Sequence, residues 1–274
     1  MDGDFSHCGP CQYLHTAVGP VVEVPDDFTA PYGETVEAIG LLNLAIDRTC
    51  NLACPTCRRQ PWVATPEQRR GITAIQDVLT SPEVLRITRR LSVSGSGDPF
   101  VSGPHRELLR RLEPDQYPDL RVKLHTNGLL FNRMSWAMMG PIRSRVDSVE
   151  VSVDAATPET YAVNRGGDWG TLNRNLRFVS QLRAAGPVEE FQLSFVVQDN
   201  NWREMAAFVD LGRSLGADTV YFSDLMNWGT FDPIQFMLRT VSRPDYAHRA
   251  EFLEMLESVR GRPGVFISGL MDPC

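Results

Sequence analysis

Three cysteines within eight residues constrain this chain more than any other feature. They have the spacing Cys50-x3-Cys54-x2-Cys57 and follow the apolar run 41–46, which predicts a β-strand. A loop with three thiolates can hold three irons of a [4Fe–4S] cluster. The fourth iron is then left open to a ligand from outside the protein.

Other uses of three neighbouring cysteines fit the sequence less well. Zinc sites usually combine two pairs of Cys or His ligands, and no second pair follows Cys57 closely. Beyond this loop, His125 is the only histidine near a predicted strand end. Disulfides are disfavoured because three thiols this close cannot close two bridges. A non-catalytic Fe–S or zinc binding module remains the alternative from a different functional class.

Strands and helices alternate after the cysteine loop. Runs rich in Val, Leu, Ile or Phe predict strands at 41–46, 90–94, 121–125, 148–153, 191–197 and 219–222. Helices are predicted to begin at Thr65-Pro66 and Ser81-Pro82, and at 104–112, 133–144, 169–185 and 201–215. This βα alternation indicates an α/β fold with a parallel sheet, in which chemistry lies at the carboxyl ends of the strands.

Polar and glycine-rich turns follow the predicted strands at that edge. The second strand runs into Gly95-Ser96-Gly97-Asp98, and the third runs into Thr126-Asn127-Gly128, where Asn-Gly favours a left-handed turn. Each of these two turns also has a purely structural interpretation as an ordinary tight turn. The fourth strand carries Ser152 and Asp154, with Arg165 a short distance beyond it.

The cysteine spacing resembles the signature of the radical S-adenosylmethionine (radical SAM) superfamily. The resemblance implies that the open iron binds the amino and carboxylate groups of SAM. One electron from the reduced cluster then cleaves SAM, and a 5′-deoxyadenosyl radical abstracts hydrogen from a substrate C–H bond. It also implies a partial (β/α)6 TIM-like barrel with N- and C-terminal extensions.

The resemblance extends to the strand ends and assigns expected roles there. The turn at Gly95, Ser96, Gly97 and Asp98 resembles the Gly-Gly-Glu-Pro motif that contacts the SAM amino group, with Ser96 and Asp98 as departures. Further expected cofactor-binding residues are Thr126, Asn127, Ser152, Asp154, Arg165 and Val197. Among these, Arg165 is expected to pair with the SAM carboxylate, which suits a guanidinium, and Val197 to lie near adenine.

The stretch from residue 149 to 167 resembles the superfamily subgroup that carries SPASM or twitch extensions with an auxiliary Fe–S cluster. In that subgroup the extra cysteines normally follow the barrel, whereas here Cys8 and Cys11 precede it and Cys274 is the last residue. We therefore expect a second [4Fe–4S] cluster on Cys8, Cys11 and Cys274. Cys274 has two other interpretations, as a hydrogen donor to a substrate radical or as an unordered chain end.

Composition narrows the choice of partners. Net charge is −7, with 27 Lys and Arg against 34 Asp and Glu, so nucleic acid is not expected as a partner. No apolar run approaches a membrane span and residues 1–15 do not resemble a signal peptide, so we expect a cytoplasmic protein. An electron donor of flavodoxin or ferredoxin type is expected from the family resemblance.

The sequence therefore predicts a radical SAM enzyme with three segments. These are an N-terminal extension at 1–38, a core barrel at 39–235 and a C-terminal helical extension at 236–274. The expected substrate is a polar small molecule such as a sugar or aminocyclitol, which undergoes epimerisation, dehydrogenation or elimination. Asp224, after the sixth strand, is expected to face it. The alternative substrate is a ribosomal peptide, although only about 40 residues precede the first strand.

Overall fold

The computed structural model describes residues 37–270 of the chain. Seven parallel strands form one sheet, and each strand pairs with the next in chain order. They are β1 (Ile39–Leu44), β2 (Thr88–Val93), β3 (Arg121–Thr126), β4 (Val146–Ser152), β5 (Glu190–Val196), β6 (Thr219–Ser223) and β7 (Val265–Ser268). In this range β1 and β7 are not paired with each other, so the sheet is an open, partial barrel. The predicted α/β fold is thereby confirmed.

Helices connect successive strands. They are α1 (Pro66–Leu79), α2 (Pro82–Ile87), α3 (Gly103–Arg111), α4 (Arg133–Met138), α5 (Pro158–Asn164), α6 (Trp169–Ala184), α7 (Met205–Ser214), α8 (Pro233–Arg239) and α9 (Arg249–Val259). The predicted starts of α1 and α2 are confirmed, with Thr65 and Ser81 as N-caps and proline in the first turn. The helix predicted over 133–144 is shorter, since it breaks at Gly140 (φ 73°) into a 3₁₀ turn.

The sheet extends further along the chain than the sequence pattern indicated. Strand β7 pairs with β6 through Tyr221 and Phe266, beyond the predicted end of the core at residue 235. Its four residues alternate between half-buried and exposed. The strand is only four residues long and partly buried, and its apolar run, Val265-Phe266-Ile267, has only three residues.

The two faces of the sheet differ in chemistry. The outer face is apolar and packs against the helices, as Val149, Val151 and Leu193 show, since all three are fully buried in the main core. The inner face is polar along β3, β4 and β5. Because successive side chains of a strand point to opposite sides of the sheet, the same strands form the apolar outer face and the polar inner face.

No helix within residues 37–270 is long and apolar enough to cross a membrane.

Candidate functional site

The predicted site residues between 50 and 224 come together at the carboxyl edge of the sheet. Each lies at or near the end of a strand, or in the segment that connects that strand to the next one. Cys8, Cys11 and Cys274 lie outside the described residues. The candidate site is therefore built from the cysteine loop, the glycine turn after β2 and the ends of β3 to β6.

The cysteine loop is held in place by its own backbone. The Cys50 amide donates to the Trp62 carbonyl at 3.0 Å, and the Cys57 amide donates to the Cys54 carbonyl at 2.8 Å. All three thiols are free; Cys50 and Cys54 are buried with Leu52, while Cys57 is half-buried. The loop thus presents three unbridged thiols from one turn.

Each thiol lies near a nitrogen donor. The Asn127 Nδ2 atom is 3.6 Å from Cys50 Sγ, Arg165 Nη1 is 3.7 Å from Cys54 Sγ, and Arg58 Nη2 is 3.2 Å from Cys57 Sγ. Burial raises the pKa of the Cys50 thiol, although an amide hydrogen bond at Leu52 opposes this. Two arginines thus place positive charge beside Cys54 and Cys57, which suits an anionic cluster.

The chemistry of these residues fits a [4Fe–4S] cluster. Residues 37–270 contain no group of three or more His, Cys, Asp or Glu side chains that could hold one metal ion. A cluster makes a different demand, because each thiolate binds an iron of its own. Three free thiols on one loop, each with a nitrogen donor nearby, meet that demand.

The glycine turn after β2 packs tightly against the chain that leads into the cysteine loop. A Cβ atom on Gly97 would lie 2.4 Å from the Asp47 carbonyl oxygen and 2.6 Å from that of Thr49. The Ser96 hydroxyl donates to the Ala45 and Asp47 carbonyls at 3.1 Å. Gly97 is therefore required for a close backbone approach.

Asp98, where the related motif has Glu, is engaged within the chain. Its carboxylate is fully buried and accepts hydrogen bonds from the Thr126 hydroxyl at 2.7 Å, the Asn127 amide at 2.9 Å and the Phe100 amide at 3.0 Å. Burial raises its pKa, and these three bonds oppose the increase. The Asp98 side chain thus braces two turns. Its expected contact with the cofactor stays a prediction.

The Thr126-Asn127-Gly128 turn reaches the cysteine loop. Gly128 has φ of 78°, which confirms the predicted left-handed turn. Besides approaching Cys50, the Asn127 amide group donates to Asn51 Oδ1 at 2.8 Å. The turn has a structural role that the sequence analysis left open, because it connects β3 to the cysteine loop.

Arg165 and Asp154 form a buried ion pair at the end of β4. Arg165 Nη2 lies 2.8 Å from Asp154 Oδ2, and the side chains are 13% and 0% exposed. Asp154 has φ of 59° and also accepts a hydrogen bond from the Val196 amide at 2.7 Å. Burial alone disfavours the Arg165 cation, but Asp154 and Cys54 outweigh it and raise the pKa of Arg165.

Ser152 belongs to a polar network that the sequence analysis missed. Its hydroxyl is 2.9 Å from His125 Nε2, and Lys123 Nζ lies 2.7 Å from Glu150 Oε2. The Ser194 hydroxyl donates to Glu150 Oε1 at 2.5 Å. Alternation of polar residues within apolar strands, as in Ser148-Val149-Glu150-Val151-Ser152, was the signal available in the sequence.

Burial shifts the titration of this inner network. It lowers the pKa of His125, an effect that Glu150 opposes, so the imidazole is favoured in its neutral form. For Glu150, burial is outweighed by His125 and Lys123, and its pKa is lowered. The network therefore presents a carboxylate and a neutral imidazole beside Lys123.

Val197 and Asp224, two further predicted site residues, have contacts within the chain. Val197 is fully buried in the main core, whereas Val196 beside it is half-buried on the inner face. Asp224 accepts hydrogen bonds from the Ser242 hydroxyl at 2.6 Å and the Leu225 amide at 2.8 Å. Burial raises the pKa of Asp224, and these two bonds oppose the increase.

An open groove of about 860 Å³ runs along the cysteine loop. Pro55 of that loop, Val163 of α5, Asn200 and Leu238 of α8 contribute to its lining. Val163 and Leu238 are both 58% exposed. The groove is large enough for a small molecule or a short peptide segment.

No family model matches the chain. The chain is 24% identical over 188 residues to "Probable GTP 3′,8-cyclase" of Saccharolobus islandicus, a match that covers 67% of the chain and 56% of the relative. The protein of the same name from Methanococcus vannielii is 23% identical over 176 residues, which cover 64% of the chain and 55% of the relative. The match thus spans little more than half the length of these curated relatives.

Solved structures share the fold. Streptococcus suis SuiB bound to S-adenosylmethionine superposes with a TM-score of 0.57 at 11% identity, covering 90% of the chain and 53% of SuiB. SuiB bound to the precursor peptide SuiA gives a TM-score of 0.56 at 12% identity, covering 87% and 50%.

Proposed function

Because this chain belongs to the radical SAM superfamily, we propose that it abstracts hydrogen from a C–H bond of a polar small molecule. The proposed substrate is a sugar or aminocyclitol, and the outcome is epimerisation, dehydrogenation or elimination. The polar inner face of β3 to β5 carries this proposal. A protein of this family works with a [4Fe–4S] cluster and SAM, which together supply the radical that removes hydrogen.

The cysteine loop would hold the cluster. Cys50, Cys54 and Cys57 would each bind one iron, and the donors at Asn127 and Arg165 would face the cluster sulfurs. The buried position of Cys50 and Cys54 supports this role, because exclusion of water protects a reactive site.

Arg165 is the residue best placed to orient SAM. Its guanidinium lies between Cys54 and Asp154, and its Nε atom is buried without a hydrogen-bond partner. A buried donor without a partner is unfavourable, so a carboxylate from SAM would satisfy it. Asp154 holds the guanidinium towards the cysteine loop.

The inner network would bind the substrate. Lys123 and His125 are half-buried, with 24% and 32% of their side chains exposed, so they remain accessible from inside the barrel. Glu150 accepts hydrogen bonds, Lys123 donates them, and Ser152 does either. This mixture matches a molecule with several hydroxyl or amino groups.

A ribosomal peptide is the second candidate substrate. The groove beside the cysteine loop favours it, because exposed Val163 and Leu238 offer apolar contacts that a sugar does not need. A leader-peptide partner would accompany this function. An electron donor of flavodoxin or ferredoxin type is proposed in either case.

The test is anaerobic reconstitution followed by incubation with SAM and dithionite. We expect 5′-deoxyadenosine from the wild type and none from the Cys50→Ala, Cys54→Ala, Cys57→Ala triple variant. Wild-type protein that binds zinc or iron and yields no 5′-deoxyadenosine would support the non-catalytic module instead. Deuterium transfer from labelled sugars, aminocyclitols or peptides into 5′-deoxyadenosine then separates the two substrate classes.

The auxiliary cluster on Cys8, Cys11 and Cys274 remains a proposal that an iron count can test. We expect about eight irons per wild-type chain and about four in the triple variant. About four irons falling to none would mean a single cluster. Cys274 would then keep its two alternative interpretations, as a hydrogen donor or as an unordered chain end.

A further inference from the structure

We propose that Arg58, directly after the third cysteine, is a positioning residue that raises the reduction potential of the cluster. The inference rests on the proposed function, because it requires a cluster on Cys50, Cys54 and Cys57.

Arg58 is fixed by contacts on every nitrogen of its guanidinium. Nε and Nη2 lie 3.4 and 3.2 Å from Cys57 Sγ. Nη1 also donates to the Arg48 carbonyl and Nη2 to the Ser96 carbonyl. One side chain thus joins a cluster ligand to the chain after β1 and to the glycine turn after β2.

The charge of Arg58 lacks an anionic partner in the described part of the chain. The residue is only 7% exposed, yet no Asp or Glu between residues 37 and 270 forms an ion pair with it. Arg165, the other arginine at a cysteine, is paired with Asp154. A buried cation without a carboxylate is unfavourable unless another anion is present, and an anionic thiolate cluster would be that anion.

The consequence for the cluster follows from electrostatics. Reduction adds one negative charge, so a fixed cation and N–H···S hydrogen bonds stabilise the reduced state more than the oxidised state. Arg58 therefore raises the potential, and removing it makes reduction harder. Because Arg58 places two N–H donors at the Cys57 sulfur, it stabilises the reduced cluster more than a single amide donor would.

The test compares the full-length protein with Arg58→Met, Arg58→Lys and the control Arg59→Met. Arg59 is exposed, and within residues 37–270 its guanidinium donates only to the Thr230 carbonyl at 3.4 Å. The measurement is the midpoint potential of the reconstituted cluster, from a redox titration followed by electron paramagnetic resonance. We expect Arg58→Met to weaken the one-electron reduction equilibrium about tenfold, or about 59 mV. Arg58→Lys should give a smaller shift in the same direction, and Arg59→Met none.

The outcomes separate this inference from the proposed function. A wild type without a cluster overturns both. A wild type with a cluster and an unchanged potential in Arg58→Met overturns only the role of Arg58. If Arg58→Met does not take up iron, Arg58→Gln, which keeps an N–H donor without the charge, replaces it in the same comparison. Equal potentials for Arg58→Gln and wild type would then overturn the inference.

Discussion

The outer and inner faces of the sheet come from the same strands, yet they differ in almost every property. Along β4, Val149 and Val151 on the outer face are fully buried in the core, while Glu150 and Ser152 on the inner face carry hydrogen bonds and charge. Burial of apolar area drives folding, whereas polar groups facing a cavity contribute little to it. The comparison indicates that the outer face maintains the barrel, while the proposed substrate site lies on the inner face.

The largest expected effect is on the outer face. Phe195 is fully buried, with its ring centroid 4.8 Å from that of Phe208 and 5.4 Å from that of Phe222. Phe195→Ala should lower the free energy of unfolding by about 3–5 kcal/mol, because it leaves a cavity. Denaturant unfolding measures this. Phe266 of β7, which is 59% exposed, is the matched control. An equal loss in Phe266→Ala would contradict the contrast between the faces.

A second expected effect, in the helix layer outside the sheet, is a loss of stability at low pH. His105 on α3 is fully enclosed and bonded to Gln76, and burial lowers its pKa to about 4, although Asp47 opposes this. The unfolded chain takes up a proton near pH 6.5 and the folded chain does not. Its contribution to stability is therefore present at pH 7 and lost as the pH falls from about 6.5 towards 4, by about 3 kcal/mol in total.

Unfolding of His105→Gln at pH 7 and pH 4.5 checks this linkage. The variant should lose less stability between the two pH values than the wild type does. His248→Gln, at an exposed position with 48% of its side chain accessible, is the control. The same pH dependence in wild type and His105→Gln would show that other groups cause the loss.

A smaller effect on stability is expected at the glycine turn after β2, which packs against the chain that leads into the cysteine loop. Gly97→Ala places a Cβ against the Asp47 and Thr49 carbonyl oxygens and should cost about 1–3 kcal/mol through a backbone shift. It should also reduce iron uptake, because the shift reaches the loop that carries Cys50. Gly95→Ala, whose Cβ would contact Ala45 at 3.5 Å, is the control and should be near neutral. Full iron content in Gly97→Ala would show that the glycine turn does not influence cluster binding.

The smallest effect on stability is expected on the inner face. Glu150→Gln breaks the pair with Lys123, but the lysine is partly exposed and can reach water, so the loss should be about 1 kcal/mol. Transfer of substrate hydrogen to the 5′-deoxyadenosyl radical should fall at least tenfold, about 1.4 kcal/mol, if the proposed substrate contact of Glu150 is lost. Comparison of the Lys123→Met, Glu150→Gln double variant with the two single variants measures the coupling free energy between Lys123 and Glu150. Normal activity together with lowered stability would show that Glu150 supports the fold and does not contact the substrate.

Much of the fold was predictable because it is encoded locally. Apolar runs marked six of the strands, and Thr65-Pro66 and Ser81-Pro82 marked two helix starts through capping chemistry. Strand β7 escaped prediction because it is short and its burial depends on β6. The break of the predicted 133–144 helix at Gly140 followed from a left-handed glycine beside the α3 backbone.

The candidate site was predicted as a set of positions but not as a set of contacts. The sequence placed Asp98 and Val197 at strand ends, where ligands bind. The fold directs the Asp98 carboxylate to Thr126 and Asn127 and encloses Val197 in the core. Strand alternation could have indicated the orientation of Val197, since one residue along the chain reverses the face.

The sequence by itself determined the three-cysteine loop, the βα alternation and the carboxyl edge where the polar turns meet, because spacing and periodicity are local properties. Only the tertiary structure decided which residues distant in the chain reach the sulfurs. Arg165 lies 111 residues beyond Cys54 in the chain, yet its guanidinium reaches that thiol. Contacts of this kind depend on how the strands are ordered in the sheet and how their turns pack, which no short stretch of sequence specifies.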